Sequence, residues 1–181
     1  MARASSEAVP EQVQATIDLF ISKIFADDPL TMVVKAHLYI ESALLALLKA
    51  YLEKPEILET DRLTFPSKVQ LGIALGLIEP QLEEVLIKLN RLRNRFVHNL
   101  EARLGKHDAF DLMGSLELFE QKSVGYQLKK LGAHGSTHME IISMVFIWLY
   151  SKLVLRAHGL ELLRTSGLSR DEMVKKMQEI A

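Results

Sequence analysis

Apolar residues recur every three or four positions through almost the whole of this sequence, and no stretch alternates apolar with polar as a half-buried strand does. That spacing restricts the chain to an all-α fold. A first helix is predicted from about Glu11 to Phe25, with Val13, Ile17, Phe20, Ile21 and Ile24 on one face. Asp28-Pro29 reads as an N-cap followed by proline at the first helical position, opening a long helix that ends near Leu52. Pro66 starts a short helix through Leu75, which Gly76 closes, and Pro80 starts the next. Beyond His98 the periodicity fades. A weaker helix is expected from about Asp108 to Phe119, followed by a loop marked by Gly125, Gly132 and Gly135. A long helix from about Ser136 to Leu163 comes next. The last begins at Ser169, where Glu172 completes a capping box.

At 181 residues the chain suits one domain, with no repeat and no linker to divide it. The expectation is a core bundle over about 11–165 and a C-terminal helix over about 169–181. Cysteine is absent, which excludes a disulfide scaffold and thiol-ligated zinc and suits a reducing cytoplasm. No metal site or other cofactor is expected. His134 and His138 are four apart, but they straddle Gly135 at a loop–helix junction. The N-terminus lacks an apolar core of signal-peptide length, and the most apolar stretch, Ile141 to Tyr150, is far shorter than a membrane span. A formal net charge of −1 disfavours nonspecific binding to duplex nucleic acid, which needs a basic excess.

The Pro80 helix breaks the pattern. At about 100° per residue, Leu82, Val85, Leu89, Leu92, Phe96 and Leu100 form one apolar stripe, and Arg93 falls inside it. A buried guanidinium keeps its charge and needs an acceptor to offset desolvation. The Pro29 helix carries Glu41 beside His37, Leu44 and Leu48, away from its solvated strip of Lys35, Ser42 and Lys49. An ion pair between Glu41 and Arg93 is therefore predicted. His37, on the same apolar face, is expected to be a satisfied core histidine. On the other side of the Pro80 helix, Asn90, Asn94 and His98 share a polar stripe flanked by Arg91 and Arg95. Such a second face suits packing against a partner subunit.

Taken singly, these features have ordinary explanations. A histidine at a helix end commonly meets the helix dipole, and a buried Arg–Glu pair is commonly a clamp. Together they place an arginine, an amide and an imidazole at one helix end with no packing need for them.

Arg93-Asn94-x-x-x-His98 resembles the R-N-x3-H signature of the HEPN superfamily. Leu63-Thr64-Phe65 through Lys68, then Ala74-Leu75-Gly76-Leu77-Ile78, then Leu89-x-x-Leu92-Arg93, resemble the mannitol operon repressor branch and its relatives. The resemblance covers roughly Val33 to Asn99. It implies a HEPN-like antiparallel helical bundle, here with additional C-terminal helices, that forms a homodimer with two motifs facing one cleft. In catalytic members this arrangement is a metal-independent ribonuclease. The implied roles are proton transfer by His98, phosphorane stabilisation by Arg93 and positioning by Asn94, with Glu41 supporting and Arg91 and Arg95 offered to phosphate.

Two readings follow. One is a ribonuclease acting on RNA; the other is a non-enzymatic dimeric transcriptional regulator or interaction module that contacts another protein. A nucleotidyltransferase-type antitoxin is a further partner that the resemblance admits. Geometry raises one conflict, because Arg93 and His98 lie about 140° apart on an ideal helix. Either the helix unwinds near His98, or Arg93 is chiefly structural while Asn94 and His98 face the cleft.

Overall fold

In the computed structural model, which describes residues 9–24, 28–59, 62–99, 101–130 and 137–180, the regular structure is helical throughout and the described residues contain no strand. The protein is all-α. Its elements are α1 (Glu11–Ile24), α2 (Pro29–Tyr51), a 3-10 turn (Pro55–Ile57), α3 (Phe65–Ala74), α4 (Leu82–His98), α5 (Lys106–Gly114), α6 (Leu118–Lys130), α7 (His138–Thr165) and α8 (Arg170–Ile180).

The helix boundaries have local causes. Asp28 caps α2 by accepting from the backbone N–H groups of Leu30 (2.9 Å) and Thr31 (3.2 Å). Thr64 does the same for α3 through Ser67 N–H at 3.3 Å. Gly76, at φ 70°, turns the chain out of α3 in a conformation that a side chain would strain. Thr137 and Glu140 make a reciprocal capping box at α7. The box expected at Ser169 and Glu172 opens α8.

One core runs through the structure, and all eight helices contribute to it, from Phe20 on α1 to Met173 on α8. Its main seam lies between α2 and α7. By length and composition these two helices are apolar enough to cross a membrane, with 44% and 50% of their most apolar windows buried inside the fold. The apolarity of α2 and α7 is used on the other helices: Phe20 of α1 is fully buried, 4.1 Å in ring centroid from Tyr150 of α7 and 5.2 Å from Tyr39 of α2.

The region after α4 departs from expectation. The structure ends α5 at Gly114, where Ser115 bonds back to the Leu112 carbonyl at 2.8 Å. It starts a new helix at Leu118 and carries it straight through Gly125, where a loop was expected. Glycine inside a helix costs about 1 kcal/mol. Burial of Val124 and Leu128 offsets that, as does the ion pair of the buried Glu120 with Lys152 of α7 at 3.2 Å. Gly132, Gly135 and His134 lie outside the described residues.

Candidate functional site

The apolar stripe of α4 packs as its spacing dictates: Leu82, Val85, Leu86, Leu89, Leu92 and Phe96 are all buried. Arg93 is half-buried beside them, and its Nη1 donates to the Asn94 amide oxygen at 3.0 Å. The predicted ion pair with Glu41 does not form. Glu41 instead accepts from Lys68 Nζ at 2.6 Å, and its other oxygen lies 3.7 Å from His37 Nδ1. The reason is the third helix. α3 packs on both α2 and α4, and its first turns deliver Lys68, whose side chain is only 8% exposed, directly onto the carboxylate.

His37 and Asn90 complete the cluster. His37 Nε2 lies 3.1 Å from the Asn90 amide oxygen, which can only accept, so Nε2 carries the proton of the neutral ring. Nδ1 then presents a lone pair with no hydrogen-bond donor, although the residue is buried. His37 is thus a core histidine satisfied on one side only. Burial holds its pKa below the ordinary 6.5, against the opposing pull of Glu41 and Asn90, with Arg93 and Lys68 adding to the lowering. The Asn90 of the expected outer stripe therefore belongs to this inner cluster.

This predicts a pH dependence of stability. The unfolded chain takes up the His37 proton before the folded one does, so the contribution is complete above pH 6.5 and is lost on acidification. One proton sets a limiting slope of about 1.4 kcal/mol per pH unit. Urea unfolding between about pH 7 and 5 should show stability falling with acidification, His37 contributing at most this slope, and His37→Gln should reduce the fall. An unchanged slope in the variant would remove His37 as its source.

Further along α4 the environment opens. The helix stays regular through His98, which is its last residue, and this excludes local unwinding as a way to bring His98 round to Arg93. His98 is exposed and has no hydrogen bond or ion pair among the described residues. Asn94, one turn earlier, is half-buried. Asn99 leaves the helix in an extended conformation, and its side chain accepts from Glu101 N–H at 2.9 Å. The motif is thus divided between an inner Arg93–Asn94 contact and an outer His98.

The two flanking arginines differ. Arg91 is exposed without an ion pair among the described residues. Arg95, expected to face phosphate, forms a two-pronged pair with Asp108 at 2.9 Å on each side and also donates to the Arg103 carbonyl at 3.1 Å. Burial works to raise the Asp108 carboxyl, but Arg95 and the Gly105 N–H outweigh it and hold it below the usual carboxylate range. Arg95 therefore ties the end of α4 to the start of α5. Any use of it as a phosphate ligand would have to break that pair.

Beside the same end of α4 lies an open groove of about 450 Å³, lined by Asp28, Leu30, Phe96, Asn99, Arg103 and His138 among others. It brings together the starts of α2 and α7 and the residues just past α4. Among the described residues, no three His, Asp or Glu side chains converge as metal ligands would.

Lys68 is the member of the polar cluster that sequence spacing did not single out, whereas Asn90 was placed by spacing on the outer stripe. Lys68 sits within the first turn of a predicted helix, where a lysine is ordinarily solvated. Its burial follows only from how α3 lies across α2 and α4. No family model matches the chain, and neither the curated proteins nor the solved structures contain a match to it.

Proposed function

We propose that this chain is a HEPN-type protein that works in the cytoplasm as a homodimer and cleaves RNA phosphodiesters without a metal. The observation that carries the reading is His98: an exposed imidazole at the last position of α4, one turn beyond Asn94, with no hydrogen bond or ion pair among the described residues. An imidazole is the side chain best suited to move protons near neutral pH. In the proposed reaction a ribose 2′-oxygen attacks the adjacent phosphorus and its proton passes to His98 of one subunit. The 5′-oxygen leaves with a proton from the same residue of the second copy. The products are a 2′,3′-cyclic phosphate and a free 5′-hydroxyl.

Asn94, held by Arg93 from behind, would orient the phosphate, with the guanidinium charge acting across that amide. Arg91 would meet a neighbouring phosphate. Glu41, paired with Lys68, then supports the bundle at one remove from the reaction.

A second reading has its own support. Arg95 is engaged by Asp108, and the chain as a whole carries a net charge of −1, so one subunit offers little cationic surface at the motif. That suits a non-enzymatic dimeric regulator or interaction module of the mannitol operon repressor type, acting through a protein partner or antitoxin.

Incubating the purified protein with single-stranded RNA in excess EDTA separates the two. Cleavage that leaves cyclic phosphate ends and disappears in His98→Ala supports the enzyme. Intact RNA at every protein concentration, with partner binding retained in His98→Ala, supports the regulator.

A further inference from the structure

The outer face of α6 carries more than the bundle requires. On a helix advancing about 100° per residue, Phe119, Lys122, Tyr126, Lys129 and Lys130 fall within about 100° of arc. The buried residues of the helix, Glu120, Val124 and Leu128, lie on the opposite side. Phe119 is 78% exposed and Tyr126 66%, and all three lysines are exposed. Two aromatic rings left in water on one stripe are a cost that packing does not explain. No acidic side chain shares the arc: Glu120 is buried against Lys152, and Glu117 precedes the first turn. In a chain of net charge −1 this is a local cationic excess.

Rings and ammonium groups in one line match a polymer that presents planar bases and phosphates along one strand. A bilayer-binding helix instead separates a continuous apolar face from its lysines. A second copy docked here about a two-fold axis would set three lysines against their own image. We infer that the outer face of α6 binds single-stranded RNA, with Phe119 and Tyr126 stacking on bases and Lys122, Lys129 and Lys130 neutralising phosphates. The choice of RNA over other single strands rests on the reading proposed for His98, whereas the binding itself is measured separately from cleavage.

The test is fluorescence anisotropy of labelled oligouridylate in EDTA, with His98→Ala as the parent protein so that no probe is cut. Oligodeoxythymidylate serves as the second arm. Phe119→Ala/Tyr126→Ala should weaken oligouridylate binding at least about tenfold while leaving its salt dependence unchanged. Lys122→Gln/Lys129→Gln/Lys130→Gln should reduce the slope of log affinity against log salt by about 2, at about 0.7 per phosphate contact on a single strand. Circular dichroism checks that the helices persist, as expected for exposed positions. Equal binding by parent and variants overturns the inference, and so does the absence of saturable binding. It is also overturned if the substitutions abolish binding to anionic vesicles, or change the solution mass, while oligouridylate binding is unaffected. Tighter binding of the deoxy arm would overturn the assignment to RNA. Loss of binding in the stripe variants, when wild-type protein cuts no RNA, would leave the stripe standing and remove the proposed reaction. Cleavage with unaffected binding in the variants would do the reverse.

Discussion

His98→Ala is expected to lower RNA cleavage by about 10²–10⁴-fold, the range that a positioned general acid or base contributes. The size of the effect depends on two roles falling on one residue. In a homodimer a single substitution removes both the base that takes the 2′-proton and the acid that supplies the leaving oxygen. Stability should move by no more than about 0.5 kcal/mol, because the side chain is exposed and makes no hydrogen bond or ion pair among the described residues. Initial rates on a uniform RNA substrate, set beside urea unfolding of the same samples, distinguish a lost catalyst from a lost fold. A variant that cuts within threefold of wild type (roughly 0.7 kcal/mol on the barrier) contradicts the mechanism.

Lys68→Met is expected to reduce unfolding free energy by about 2–3 kcal/mol. Removing one member of a fully buried ion pair costs about 3–5 kcal/mol, because the other charge is left without a partner. Here Lys68 is 8% exposed but Glu41 is 26% exposed, so part of the stranded carboxylate charge recovers water and the cost is discounted. Glu41→Gln should be destabilising for the converse reason, stranding a buried ammonium. Combining the two should recover much of the loss, since neither charge is then left alone. A double-mutant cycle in urea should therefore give a clearly favourable coupling between Glu41 and Lys68. Strictly additive effects would show that the pair is incidental, whatever its 2.6 Å separation.

The same pair shows where sequence reasoning stopped. Helical spacing located α1 to α4 closely, because their apolar spacing is strong and the starts of α2 and α3 carry cap chemistry. Asp28-Pro29 and Gly76 play the parts their residue types suggest. The wheel of α4 also identified Arg93 as facing inward. A wheel treats helices in pairs, however, and the partner of Glu41 came from a third. α3 crosses both α2 and α4, and nothing in the spacing of Lys68 indicates that crossing.

Asn90 illustrates a finer limit. It sits at the edge of the polar stripe, and only the inward position of His37 decides which way it turns. The helix α6 was lost for another reason. Gly125 weakened its local propensity, while the forces that hold it, burial of Val124 and Leu128 and the Glu120–Lys152 pair, are tertiary. Arg95 is similar: its availability to phosphate looked complete along the helix until Asp108 folded back against it.

The proposed meeting of RNA with the outer end of α4, which carries His98 and Asn94, lies at a junction between two copies of the chain. It is tested most directly by a crystal structure of the protein with a short RNA whose 2′-hydroxyls are methylated to block cleavage. A two-fold dimer is expected in which His98 from each copy approaches one phosphate, with Asn94 beside it. A complex in which the two His98 side chains lie on remote surfaces, or in which the RNA avoids the end of α4, would contradict it.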